Sequence, residues 1–373
     1  MDKTLVDLFA GCGGLSLGLE QAGFKVLFAN DINPISSNTY IKNLGIDESH
    51  FFIGDINDIV MDFKSYEKRF EDIDLISGGP PCQGFSMANR QRIIDDPRNI
   101  LYKSFLKILN KTKPKFFIME NVKGMLNKIE EIRDDFNSTL EGKYDIAHEV
   151  INAKDYGIPQ NRERLFLIGN RIGVDSEKIF ANILMKKRAS FTLEKAISDL
   201  PPLGVKKIKN NSSLENREVG FFKTEYEYKI DEYYKFINGD KRIEHVYNHK
   251  NRYNNDRDIE IFTRLPQGAN SLHPSIAEIM PYKTRNHIFK DKYFKLRYDD
   301  ICKTITSHMK FDCNMYIHPT QSRGLSAREA ARIQTFPDDF VFYGAQNSWY
   351  MQIGNAVPVK LAKIIGGEII KCL

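Results

Sequence analysis

Cys82 stands in the run Gly78-Gly79-Pro80-Pro81-Cys82-Gln83-Gly84-Phe85-Ser86. Two prolines fix the backbone directly before it. A structural cysteine sits more naturally inside a strand; a thiol presented on a rigid turn is a candidate nucleophile. Glu120 closes the apolar run FFIME. A carboxylate there is costly to bury unless it is paired. A neighbouring helix terminus could hold such a carboxylate. Partners are available in Gln160-Asn161-Arg162-Glu163-Arg164. On an extended strand Arg162 and Arg164 point to the same face, where they could hold Glu120 and bind a base or phosphate.

Three other turns lie upstream. Phe9-Ala10-Gly11-Cys12-Gly13-Gly14 is glycine-rich but lacks the G-x-G-x-x-G dinucleotide pattern. Taken alone, such a turn is either structural or a place where a ligand approaches the backbone. Asn30-Asp31 puts a carboxylate about 20 residues beyond the first glycine, suited to ribose hydroxyls. Gly54-Asp55-Ile56 offers an amide and a carboxylate to an adenine edge. Three such turns in succession favour an adenosine-containing cofactor.

All these residues follow strand-like runs, at residues 4–9, 25–29, 51–53, 74–77, 116–120 and 165–168. Helical stretches such as 14–22 and 101–111 lie between them. The alternation predicts an α/β fold with a doubly wound, mainly parallel sheet, whose ligands sit beyond the carboxyl ends of the strands. Composition shifts near Lys186, and residues 210–234 show no clear period, which predicts a smaller irregular domain. Helical patterning returns at 326–334, capped by Ser326 with Glu329 three residues on. A last helix follows Pro358.

The five cysteines, Cys12, Cys82, Cys302, Cys313 and Cys372, are odd in number and irregularly spaced. That argues against a disulfide frame or a metal site. No apolar run approaches the roughly 20 residues of a membrane span. No signal-peptide pattern precedes the first strand, so the expected location is cytoplasmic. Residues 186–297 hold 23 basic and 15 acidic side chains, a local excess of +8 in a chain of net +5. Such a segment suits a polyanionic partner or forms a solvated lysine-rich surface.

The motifs DLFAGCGGLSLGLEQAGF (7–24), GGPPCQGFS (78–86), MENVKGM (119–125), DYGIPQNRERLFLIG (155–169), LSAREAARIQTFPDDF (325–340) and QIGNAVP (352–358) run from end to end. In this order they resemble the cytosine-5 DNA methyltransferase family. The resemblance implies a Rossmann-like methyltransferase fold. It implies transfer of a methyl group from S-adenosyl-L-methionine, leaving S-adenosyl-L-homocysteine, to carbon 5 of a flipped cytosine in double-stranded DNA, without a metal. Cys82 would be the nucleophile. Glu120 would bind the target base, Arg162 would orient Glu120, and Arg164 would contact the cytosine carbonyl. Phe9, Ala10, Gly11, Gly13, Gly14, Asp31, Ile32, Asp55, Ile56, Gly79, Pro81, Leu101, Asn355 and Val357 would line the cofactor. Ile32 stands where some relatives carry an aromatic that stacks on adenine, a departure that bears on affinity. Ser86 and Thr304 would contact DNA.

The expected organisation is a catalytic domain of residues 1–188 and 323–373, interrupted by a target-recognition domain at 189–322, with DNA in the cleft. The expected setting is a bacterial restriction–modification system. The protein would be a monomer, nucleoid-associated through DNA, with a cognate endonuclease acting on the same site. The nearest rival is a transfer RNA cytosine-5 methyltransferase; the basic central segment leans towards DNA. A non-catalytic DNA-binding regulator would need a lost catalytic residue, and Cys82, Glu120, Arg162 and Arg164 are all present. A nicotinamide-dependent oxidoreductase is disfavoured by the glycine pattern.

Overall fold

A computed structural model describes residues 2–81, 101–209, 211, 213–227, 229–281 and 292–373. By contact the chain divides into two compact units. One comprises Met1–Tyr156, Arg162–Arg188 and Val357–Leu373; the other comprises Gly157–Asn161 and Ala189–Ala356.

The first unit begins with β1 (Lys3–Leu8), α1 (Gly14–Ala22), β2 (Phe24–Asp31), α2 (Pro34–Leu44) and β3 (Phe51–Ile53). It continues with α3 (Ile56–Met61), α4 (Phe63–Tyr66), β4 (Leu75–Gly78), α5 (Leu101–Thr112), β5 (Phe116–Val122), α6 (Ile129–Thr139) and β6 (Asp145–Asn152). After β7 (Gln160–Asn161), which belongs to the second unit, come β8 (Glu163–Asn170) and α7 (Ser176–Leu184). The sheet order is β3-β2-β1-β4-β5-β8-β6. Strands β1 to β5 are mutually parallel, and β8 runs antiparallel to both β5 and β6.

The chain winds outward from β1 to β3, then returns to β4 on the other side of β1. That reversal is the switch point at which a doubly wound sheet opens a crevice. Central strands in such a sheet are covered on both faces and read as continuous apolar runs. Accordingly, every residue of β5 from Phe116 to Asn121 is buried. Val6, Leu8, Ile76, Phe105, Phe117 and Met119 share one core cluster. The strand runs foreseen from sequence are all present. Strands β6 and β7 were not foreseen, and the antiparallel direction of β8 is a pairing property invisible in a single segment.

The C-terminal helix α13 (Val359–Ile370) returns to this unit and packs on α1 through small residues. A Cβ on Gly18 would overlap Ala362 and the Val359 carbonyl, and Gly366 lies against Leu19 and Ala22. Glycine at both crossings lets the helix backbones approach closely.

The second unit holds α8 (Leu193–Ile197), β9 (Gly220–Glu225), α9 (Glu232–Asn238), β10 (His245–Lys250) and α10 (Asp256–Arg264). It also holds β11 (Cys302–Lys303), α11 (Ala327–Ile333) and α12 (Gln346–Asn355). β9 and β10 pair antiparallel, and β7 and β11 pair parallel. Residues 210–234, read as aperiodic, include β9 and part of α9, elements too short to display a period.

Sequence reasoning placed the return of the first domain at residue 323; by contact it resumes at Val357. Buried charge explains the difference. Arg323 binds Glu329 through two hydrogen bonds of 2.8 and 2.6 Å. Arg328 donates to the carbonyls of Tyr247 and Pro337 at 2.7 and 3.0 Å. Arg332 joins Asp338 at 2.8 Å and also Asp199. These arginines are fully buried; Arg323 is held locally by Glu329, while Arg328 and Arg332 reach Tyr247 and Asp199 and so tie this stretch to the 199–247 segment. The Ser326–Glu329 capping box is formed as read from sequence.

Two neutral histidines lie in the same network. The Pro201 carbonyl can only accept, so His249 carries its proton on Nε2, 2.7 Å away, and its Nδ1 accepts from Ser326 Oγ at 3.0 Å. His318 Nδ1 accepts the main-chain N–H groups of Thr320 and Gln321. Burial pushes His249 down to about 4 and His318 down to about 3. The unfolded chain therefore binds protons first as pH falls below about 6.5, and stability is lost from there towards pH 4. Between pH 6.5 and 5 the loss should be about 2 kcal/mol for each histidine. The single tryptophan, Trp349, is buried in α12 and reports on this unit. Urea titrations followed by its fluorescence should give a lower midpoint at pH 5 than at pH 7; equal midpoints would refute the neutral assignment.

Candidate functional site

Most of the cofactor residues singled out from sequence lie at the carboxyl ends of the first-unit strands. After β1 the chain turns sharply. Phe9 has φ +57°, rare for a side chain with a Cβ, and Gly11 and Gly13 have φ +56° and +93°. Gly14 opens α1. Gly13 lies against Tyr40, where an added Cβ would come within 2.9 Å of the ring; around Gly11 nothing lies within 4 Å of such an atom.

Asp31, at the end of β2, fixes this turn. Its Oδ2 accepts the Gly11 N–H at 2.8 Å, and its Oδ1 accepts the Asn33 N–H at 2.7 Å. Desolvation raises its pKa despite these two donors. The next side chain, Ile32, is 68% exposed, and Ile53 at the end of β3 is 47% exposed. Asp55 caps α3 by accepting the Asn57 N–H at 2.8 Å, and Ile56 is buried in the core. Asn30 ties β2 to the turn after β3, donating to the carbonyls of Phe52 and Gly54 at 2.9 and 3.0 Å.

At the end of β4, Gly79 approaches Glu120 closely; an added Cβ would lie 3.3 Å from its Oε2. Asn121 donates to the Pro80 carbonyl at 2.9 Å and secures the proline turn. Pro81 is exposed, and Leu101, which opens α5, is half-buried. Cys82 and Ser86 lie outside the described residues. Of the other four cysteines, Cys12 and Cys302 are buried, which pushes each thiol up to about 12, and Cys313 and Cys372 are also raised by burial.

Glu120 is buried, and its Oε1 lies 3.0 Å from Arg164 Nε. Burial raises the carboxyl pKa, opposed first by Arg164 and then by Arg162. Arg164 makes an ion pair with Glu120, and buried Arg162 also lies close enough to oppose the rise in its pKa. Arg162 precedes β8 instead of extending it; its backbone donates to Asn152 Oδ1 at 3.1 Å and accepts from Ala153 N at 2.9 Å. The expected regular strand through both arginines is therefore broken at Arg162.

In the second unit, Thr304 Oγ1 donates to the Asn161 carbonyl at 2.6 Å. Asn355, exposed, is the last residue of α12, and Val357, buried, begins the return to the first unit.

Sequence reasoning missed Asp7. Its buried carboxylate accepts from Ser16 Oγ at 2.5 Å and Ser77 Oγ at 2.7 Å, tying α1 and β4 to β1 beneath the glycine turn. Burial raises its pKa to about 7. An acidic residue inside an apolar strand was the available signal.

The profile of C-5 cytosine-specific DNA methylases matches residues 3–371. This chain belongs to that family. The C-5 methylase is similar to the type II methyltransferase M.XorII of Xanthomonas oryzae pv. oryzae, with 32% identity over 99% of this chain and 84% of the relative. It is equally similar, at 32%, to the type II methyltransferase M.MthTI of Methanothermobacter thermautotrophicus, over 100% of this chain and 98% of the relative. Among solved structures, a DNA modification methyltransferase encoded within an E. coli prophage superposes with a TM-score of 0.77 and 26% identity, covering 99% of both chains. The protein is a DNA (cytosine-5) methyltransferase, and its family uses S-adenosylmethionine.

The Asp31 geometry gives a sharp test. Each carboxylate oxygen accepts one main-chain N–H, so an amide of the same shape must face one of those donors with its own. Asp31→Asn should lose about 1–3 kcal/mol at this turn. S-adenosylhomocysteine binding, measured by calorimetry, should weaken about tenfold or more, in line with that loss. Unchanged affinity would show that the turn does not depend on this carboxylate.

Proposed function

We propose that this methylase modifies one cytosine within a specific double-stranded DNA sequence as the protective partner of a type II restriction system. The type II names of its full-length relatives support that setting. A cognate endonuclease would share the target without needing contact with this chain, and the enzyme would work as a cytoplasmic monomer. Among the described residues no helix is long and apolar enough to cross a membrane.

The first-unit turns fit S-adenosylmethionine. The space around Gly11 admits close approach of a ligand to the backbone, and exposed Ile32 and Ile53 offer apolar surface suited to an adenine. Asp31 would accept from the ribose. Asp55 and Ile56 would meet the adenine edge, and Phe9, Ala10, Gly13, Gly14, Gly79, Pro81, Leu101, Asn355 and Val357 would complete the lining. When bound, the cofactor supplies an electrophilic methyl group.

Carbon 5 of cytosine is a weak nucleophile, so the chain's own residues must activate the ring. The Cys82 thiolate would add at carbon 6. Glu120 would supply a proton or hydrogen bond to ring nitrogen 3 and relieve the charge that develops there. The observation that carries this reading is the buried Glu120 carboxyl beside Gly79, with its pKa raised by burial and Arg164 at 3.0 Å. A carboxyl at this position, held by an arginine, can supply a hydrogen bond or proton to the base. Carbon 5 then takes the methyl group, and loss of its proton expels Cys82.

The base must leave the duplex stack for this chemistry, at a cost of a few kcal/mol. Phosphate contacts, including Thr304 and Ser86, would offset it. Arg162 and Arg164 would serve Glu120 and the cytosine carbonyl, and residues 189–322 would choose the target.

Bisulfite sequencing of DNA from cells expressing the protein tests this reading. One sequence context should resist conversion at a single cytosine, and Glu120→Gln should restore conversion there. Protection confined to cellular RNA, or no protected context in DNA, would overturn the proposal.

A further inference from the structure

A continuous chain of buried amides runs through the second unit. Gln160 and Gln334 are both fully buried. Gln160 Oε1 accepts the Ile305 N–H at 2.7 Å, and Gln160 Nε2 donates to Gln334 Oε1 at 2.9 Å. Gln334 Nε2 in turn donates to the carbonyls of Ile353 and Ala356 at 2.8 and 3.2 Å. The two ends fix the polarity of the chain. A main-chain N–H can only donate and a carbonyl can only accept, so neither amide can turn over alone.

The segments joined by these amides also touch directly. A Cβ on Gly354 would overlap the Thr306 carbonyl and the Ser307 nitrogen. At one end of the relay, Thr304 is held on both sides: its hydroxyl donates to the Asn161 carbonyl, and its own carbonyl accepts the Tyr316 hydroxyl at 2.7 Å. At the other end, α12 finishes with exposed Asn355, between the two carbonyls that Gln334 binds.

We infer that Gln160 and Gln334 are positioning residues that couple DNA binding at Thr304 to cofactor binding at Asn355. The inference rests on the roles proposed above for those two residues. Its physical basis is shared order. A phosphate on Thr304 fixes the 304–306 backbone, the relay hands that order to the 353–356 turn, and the cofactor then binds a turn already set. By linkage the cofactor strengthens DNA binding by the same factor. Space-filling does not require this arrangement, because an unbranched apolar side chain would occupy the same volume as either glutamine.

The test is the dissociation constant of S-adenosylhomocysteine, measured by calorimetry with and without a saturating duplex that carries the bisulfite-mapped cytosine. For the wild-type protein the duplex should tighten binding by about fivefold or more, the lower end of ordinary couplings. In Gln334→Met the factor should fall below about twofold, with duplex-free affinity within about threefold of wild type. Gln160→Met is the second variant: it removes both the acceptor for Ile305 and the donor to Gln334. Trp349 fluorescence establishes that each variant is folded. Two controls separate the levels of the argument. Thr304→Ala should weaken the duplex, and Asn355→Ala should weaken S-adenosylhomocysteine. Failure of either control refutes the assigned contact and the coupling with it. Normal controls with wild-type coupling in folded Gln334→Met or Gln160→Met refute the relay alone, as does a wild-type protein without coupling.

Discussion

Glu120 sits at the end of a strand buried on both faces, and Arg164 Nε lies 3.0 Å from its carboxylate. An ionisable group in that position is tolerated only if a partner arrives from another part of the chain. Arg164 comes from β8, paired antiparallel with β5 so that Arg164 stands opposite Val122, two residues beyond Glu120. The antiparallel strand is thus what brings the arginine to the carboxylate. Gly79 lies beside the same carboxylate on the side of β4, where an added Cβ would come within 3.3 Å of Oε2. Burial raises the Glu120 pKa and two arginines restrain the rise. The arginines leave no unpaired charge at this strand end.

The rest of the first unit supports the same sheet edge. Asp7 and its two serines hold β1, β4 and α1 together beneath the glycine turn. Asp31 closes that turn from β2, and Asn30 secures the turn after β3. Each is a short polar side chain satisfying main-chain groups where the strands end, in keeping with the need to pair buried polar atoms. In the second unit the equivalent work falls to buried Arg328 and Arg332, which join α11 to the Tyr247 carbonyl and to Asp199.

Much of the site was legible in the sequence because it follows strand ends, and apolar strands followed by glycine, acidic or proline turns are visible in one dimension. Helix α1 could be bounded in full from its glycines, and the cap at Ser326 from its glutamate. What was not legible depends on pairing. At Arg162 the strand is interrupted where its backbone meets Asn152 and Ala153, which sequence spacing does not reveal. The boundary at Val357 reflects where Arg328 and Arg332 find partners, at Tyr247 and Asp199, and sequence does not specify partners. Asp7 was visible as an oddity in a strand, but its role emerges only with Ser16 and Ser77 beside it.

The central claim is that Cys82, two residues beyond the Pro80 carbonyl that Asn121 anchors, attacks the cytosine that Glu120 holds. Fluorine at carbon 5 cannot leave as a cation, so it should arrest the reaction after methyl transfer. Duplex DNA with 5-fluorocytosine at the mapped target should form a denaturation-resistant complex with the wild-type enzyme when S-adenosylmethionine is present. The adduct should map to the peptide containing Cys82, and Cys82→Ala should form none while still binding the duplex. A complex that survives Cys82→Ala, or an adduct on Cys12, would contradict the account.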